Sequence, residues 1–202
     1  MVTYTLMNTA QFETIEGKKP ILFSAPHACL HRRPKLSMAY RQPEMFTDTI
    51  VREICALTGA WGIVLTSDID YDPNFRDLER NEFKKAVKEI CKQNSIQQFV
   101  DIHGMAKGTD FDLGIFFPTR FQKSKAFADL VRENIGIDVL YGINTTLFRF
   151  LDNEEETLGE FVAEKMKIPS IQIEIARYIR EDEKLRESFV KNISKLINER
   201  FV

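Results

Sequence analysis

The amino-acid sequence predicts an α/β domain built on a largely parallel sheet. Short apolar runs alternate with amphipathic helical stretches along the chain. The chemically active residues gather at the downstream ends of those runs, where parallel α/β sheets bind their ligands. Length agrees: 202 residues suit a single domain over 1–202, and sixteen phenylalanines supply bulk for its core.

The elements follow in order. Residues 21–25 (ILFSA) form a buried run that stops at Pro26-His27, and residues 62–66 (GIVLT) form another that runs into Ser67-Asp68. Residues 98–102 (QFVDI) lead into His103-Gly104, where glycine lets the backbone leave the strand sharply. Residues 113–117 (LGIFF) end at Pro118, and residues 146–150 (TLFRF) make a weaker strand. In residues 170–176 (SIQIEIA) three isoleucines alternate with Gln172, Glu174 and Ala176, so the two sets face opposite ways. Between these runs the 3.6-residue spacing predicts helices over 44–57, 79–93, 124–134 with Ser124 as cap, 157–166, and a long one over 181–201.

Composition narrows the function. The net charge is −2, with no basic block, which argues against a nucleic-acid partner. No apolar stretch reaches the roughly 18 residues of a membrane span, and the N-terminus lacks the pattern of a signal peptide. Cys29, Cys55 and Cys91 are odd in number and widely spaced, as in a reducing compartment. These features predict a cytoplasmic protein. They carry no signal of its oligomeric state. Nucleotide-phosphate loops and the G-x-S-x-G elbow of serine hydrolases are absent.

Two of the three histidines, His27 and His103, directly end apolar strands. A lone histidine there is commonly just a polar loop residue. Two, one of them in D-x-H-G, point to a metal site, since neutral imidazole is a common ligand. Asp101 leaves the strand on the same face as His103, to orient an imidazole or to bind the ion itself. A catalytic zinc site takes three protein ligands and keeps one position open. The third is expected from a carboxylate, Glu44 or Asp48, four residues apart at a helix start; helix capping is the competing explanation for both. Zinc is the default ion for two histidines and one carboxylate, with other divalent metals as alternatives. Glu174, opposite the three isoleucines, suits a general base, and pairing with an arginine is its plainer role. Arg177 suits a bidentate clamp on a substrate carboxylate. Asp72, Asn74 and Arg76 form a polar loop that either lines the pocket or simply turns the chain.

Taken in order, SAPHACLH, PEMFTD, DYDPN, VDIHG and SIQIEIARYIR resemble the N-formylglutamate amidohydrolase family across roughly residues 20–180. The resemblance implies a three-layer α/β/α architecture around a central, mostly parallel mixed sheet, similar in fold to the zinc carboxypeptidases. It also implies a metal-dependent, usually zinc, hydrolase that cleaves a linear amide of a small acylated amino acid. Carried over residue by residue, it makes His27, His103 and Glu44, ahead of Asp48, the ligands. Glu174 becomes the water-activating carboxylate, and Asn74 and Arg177 become substrate-binding residues. The chain departs from the carboxypeptidase H-x-x-E pattern, because Leu30 stands three residues after His27. A carboxypeptidase-like peptidase acting on short peptides, a non-catalytic binding module, and a hydrolase using Cys29 as nucleophile are the other readings.

Overall fold

The computed structural model describes residues 11–33, 39–75, 80–105, 110–118, 121–135, 143–149 and 156–201. Arg76 and Phe150 lie outside them.

The apolar runs become the strands of one sheet. In chain order they are β1 (Phe12–Ile15), β2 (Lys19–Ala25), β5 (Ala60–Leu65), β6 (Gln98–Gly104), β7 (Leu113–Phe117), β8 (Thr145–Arg149) and β9 (Ser170–Ile175). β3 (His31–Arg32) and β4 (Tyr40–Arg41) form a separate small hairpin. The sheet order is β1-β5-β2-β6-β9-β7-β8. β5, β2, β6 and β9 form a parallel block, β1 and β7 flank it antiparallel, and β8 runs parallel to β7. β1 escapes a reading of apolar runs because it is an edge strand whose Glu13 and Thr14 are exposed.

Helices cover both faces, which buries the parallel strands on both sides. α1 (Thr47–Thr58), α3 (Gln122–Asn134) and α6 (Glu183–Arg200) close one face over Phe23, Val100, Ile102 and the isoleucines of β9. α2 (Glu82–Gln93) and α4 (Leu158–Met166) cover the other, packing Phe83, Val87, Phe161 and Val162 on Leu22, Ile63 and Phe99. On this second face the apolar layer stops short. Two-residue alternation from Leu22 and Phe99 puts Ser24, Asp101, His103, Gln172 and Glu174 there instead.

Two helix expectations change. The predicted helix over 181–201 is broken at Asp182, which separates α5 (Arg177–Glu181) from α6 and caps α6 by accepting from the Leu185 N–H at 3.0 Å. Ser124 is not a cap. α3 starts at Gln122, and the buried Ser124 hydroxyl oxygen accepts from the Ser170 N–H at 2.9 Å, tying the helix to the start of β9. α4 does begin with a reciprocal capping box between Thr157 and Glu160.

The chain leaves β2 through α1 to reach β5, then returns through α2 to β6 on the other side of β2. That reversal opens a crevice at the carboxyl ends of β2 and β6. His27 follows β2 by two residues and His103 is the penultimate residue of β6. No helix among the described residues is long and apolar enough to cross a membrane.

Candidate metal centre and active site

His27, Glu44 and His103 meet in this crevice. Glu44 lies in the loop before α1, fixed by its N–H donating to the His27 carbonyl at 2.9 Å. Its Oε1 stands 3.2 Å from His27 Nδ1 and its Oε2 3.3 Å from His103 Nδ1. The Gly104 N–H donates to the same Oε2 at 2.9 Å. The far nitrogen of each imidazole meets an aspartate: His27 Nε2 is 3.0 Å from Asp72 Oδ1, and His103 Nε2 is 2.9 Å from Asp101 Oδ2. Both aspartates are held in turn, Asp101 by the Ser24 hydroxyl and Asp72 by Arg33 Nε at 2.9 Å.

This donor set fits a cation. An Nε2–H bonded to a carboxylate fixes the tautomer and leaves Nδ1 as the ligating nitrogen. One ligand atom from each of His27, Glu44 and His103 lies within 4.8 Å of the other two. A second grouping, His27, His31 and Asp72, meets the same limit. There, however, Arg33 already neutralises Asp72, and the His31 ring stacks on His27 at 3.9 Å and 4°.

Electrostatics agree. Burial alone would lower the His27 pKa, but Glu44 and Asp72 outweigh it and raise it to about 9. Burial likewise opposes the charge on His103, yet Asp101 and Glu44 hold its pKa well above the ordinary value. Burial penalises the Glu44 carboxylate too, and the two imidazoles reverse this and hold it well below the usual range. His31 goes the other way, lowered to about 4 by burial and by the charge on His27.

Glu174 pairs with His103 in the register of β6 and β9 and faces Gly114 across β7. Its Oε1 accepts from Gln172 Nε2 at 2.7 Å. Burial, assisted by Glu44, raises its pKa against the pull of His103. An inner lobe of about 400 Å³ is lined by His27, Glu44, His103, Glu174, Asn74 and Arg33, with Phe111 and Phe116 as its apolar wall. An outer lobe of about 710 Å³ shares Arg33, Glu44, Gly104 and Met105 with it.

Other expected residues lie elsewhere. Asp48 belongs to the first turn of α1 and faces Arg52 at 3.9 Å, away from the histidines. Glu44 and Asp48 do not share a helix face, because α1 begins only at Thr47. Arg177 is exposed, pairs with Glu181 at 2.5 Å, and lines the outer lobe rather than the inner one. Asn74 lines the inner lobe, with its Oδ1 accepting from the Leu158 N–H at 3.0 Å. Cys29 is no activated thiol: burial and nearby carboxylates raise its pKa, and its Sγ points to the Leu65 carbonyl.

Arg180 and Arg33 are not legible as site residues in the sequence. Arg180 is 3% exposed and donates to the carbonyls of Ile175, Met45 and Met105. It also explains Gly104, which remains in strand geometry and makes no sharp turn. A Cβ there would stand 2.5 Å from the Arg180 guanidinium carbon. Gly104→Ala is expected to cost about 1–3 kcal/mol of stability through this overlap. Denaturant unfolding checks it; an unchanged midpoint would mean that Arg180 moves aside freely.

Neither a family model nor a curated protein matches the chain in sequence. Solved structures match it in fold. The N-acetylmuramoyl-L-alanine amidase AmiC2 of Nostoc punctiforme aligns with a TM-score of 0.54 at 18% identity, over 92% of this chain and 98% of that one. A succinylglutamate desuccinylase from Chromobacterium violaceum aligns at 0.58 and 12% identity, over 93% of this chain and 64% of that one. A bacteriophage poly-γ-glutamate hydrolase aligns at 0.53 and 12% identity, over 94% and 89%. The chain has the fold of these amidases and desuccinylases. On this amidase-type fold, the mixed sheet and two helical layers agree with the architecture expected from the sequence. At such identities the likeness is one of fold alone.

Proposed function

We propose that this chain is a metal-dependent hydrolase that cleaves the linear amide of a small acylated amino acid, akin to the N-formylglutamate amidohydrolases. One observation carries the reading: two buried imidazoles each turn Nε2 to an aspartate and Nδ1 to the same glutamate. His27, Glu44 and His103 would hold the ion, with zinc the natural occupant of two nitrogens and one carboxylate. When bound, such an ion polarises the amide carbonyl and lowers the pKa of water at its open position.

The protein's own groups do the rest. Glu174 takes the proton of the attacking water and passes it to the leaving nitrogen as the C–N bond breaks, giving a carboxylic acid and an amine. Its raised pKa brings it nearer the neutral range that a general base needs. Gln172 fixes the carboxylate by donating to Oε1, which leaves Oε2 to hold the proton. Arg33, at the wall of the inner lobe, keeps its Nε on Asp72 and would meet the substrate carboxylate through the rest of its guanidinium. Asn74 has its Oδ1 committed to α4, so its Nδ2 is the group left for substrate. The inner lobe falls within the ordinary range of small-molecule sites. An amidase, a desuccinylase and a poly-γ-glutamate hydrolase on the same fold support a hydrolytic reading.

The test is metal content. Purified protein is expected to carry about one ion per chain, lost in both His27→Ala and His103→Ala, and to hydrolyse a member of an N-acyl amino acid panel. A wild-type protein that takes up no metal from excess zinc overturns the proposal.

A further inference from the structure

The outer lobe has an unusual balance of charge. Among the described residues lining it are four guanidinium groups, those of Arg33, Arg41, Arg177 and Arg180, against one carboxylate, Glu44. The four differ in how far they are committed. Arg180 is buried and spent on backbone carbonyls, and Arg33 donates to Asp72. Arg177 pairs with Glu181 on the surface, a contact that holds little energy and can be exchanged. Arg41 is exposed and has no carboxylate partner among the described residues.

Arg41 is nevertheless tied to the site. It sits on β4 opposite His31 in the β3–β4 hairpin, and His31 stacks on His27. The outer lobe thus shares Glu44 and Gly104 with the metal-binding crevice and is also lined by two exposed arginines, Arg41 and Arg177, borne by different elements. At about 400 Å³ the inner lobe has volume enough for an acylated amino acid, and the outer lobe is a second, larger space. A substrate that continues past its first residue would enter it, and positive charge in a concave surface selects anions.

We infer that the outer lobe is a second subsite, and that it takes a carboxylate on the residue beyond the one whose acyl amide is cleaved. The substrates then extend from single acylated amino acids to acylated acidic peptides. Arg41 and Arg177 hold the distal carboxylate and so set specificity without touching the reacting atoms. This rests on the proposed hydrolysis in the inner lobe for its direction, but the binding itself is measured separately.

The probes are N-formyl-Glu and the C-terminal amides of N-formyl-Glu-Glu and N-formyl-Glu-Gln, so that the two dipeptides differ only in a carboxylate on the second residue. Their binding to zinc-loaded protein is measured by calorimetry in the Glu174→Gln background, and their hydrolysis in the wild-type background. The N-formyl-Glu-Glu amide is expected to bind about tenfold more tightly than the N-formyl-Glu-Gln amide, the equivalent of one good charged contact. Arg41→Glu is expected to abolish that preference while leaving N-formyl-Glu within about twofold. About 0.5 M sodium chloride should erode the preference in the same way. Equal affinities for the two dipeptides, or an Arg41→Glu effect common to all three probes, overturns the inference. Charge-selective binding with no hydrolysis of any probe would leave the subsite standing and strike the hydrolase proposal instead.

Discussion

Glu174→Gln is expected to lower kcat/KM about a thousandfold while leaving metal content and folding intact. The change keeps the size of the side chain, and the new amide oxygen still accepts from Gln172 Nε2, so the strand and the pocket wall are undisturbed. What is lost is the ability to accept a proton. Glu174 stands outside the cluster of His27, Glu44 and His103 whose ligand atoms lie within 4.8 Å, so the ion has no reason to leave. The pH profile sharpens the test. A base must be deprotonated, and burial raises the Glu174 pKa above 4.5. Wild-type activity should therefore fall on the acid side at a pH above that value, and the residual activity of the variant should lack that limb. A variant that keeps more than about a tenth of wild-type activity removes Glu174 from the chemistry.

Metal binding is expected to release about two protons per ion at pH 7.5, so that apparent affinity climbs roughly a hundredfold per pH unit near neutrality. In metal-stripped protein, His27, with a pKa of about 9, and His103, also raised, are protonated at that pH. An incoming ion must displace the proton at each Nδ1. Calorimetric enthalpies measured in buffers of different ionisation heat give the proton count; an enthalpy independent of buffer would mean that the imidazoles were already neutral.

The same groups set the stability of the metal-stripped protein. A raised histidine pKa stabilises the fold fully below 6.5, and this contribution disappears as pH rises through about 9. For His27 that is roughly 3 kcal/mol. The lowered carboxylates Glu44 and Asp72 act at the other end, stabilising above their ordinary values of 4.5 and 3.8 and failing only in strong acid. His31, with its pKa lowered to about 4, withdraws stability as pH falls below 6.5, so metal-stripped protein should be most stable at about pH 6.5 and melt progressively earlier toward pH 9. Bound metal should flatten that alkaline decline.

Much of this molecule is legible in its sequence because burial is written in side-chain type. β7 spans the predicted residues 113–117, and β2, β6 and β9 contain nearly all of theirs, since a strand covered on both faces must be apolar through most of its length. The polar residues that interrupt those strands, Asp101, His103, Gln172 and Glu174, are conspicuous for the same reason. Chain order also places His27 and His103 at strand ends, and a parallel sheet brings strand ends together.

The choice between neighbours on a loop or a short helix was decided only by tertiary structure. Glu44 rather than Asp48 faces the histidines because Phe46 adopts a left-handed conformation, φ 68°, delaying α1 to Thr47, and because the Glu44 N–H is anchored on the His27 carbonyl. Arg180 rather than Arg177 turns inward because its guanidinium finds three carbonyls above Gly104, whereas Arg177 finds Glu181 in water. Asp72 becomes the partner of His27 from 45 residues away, a contact that no local spacing encodes. The sequence by itself determined which strands are buried and which polar residues they carry. The tertiary structure decided which of several nearby charges share one site, because ion pairing across the fold depends on ångström-scale placement that periodicity does not record.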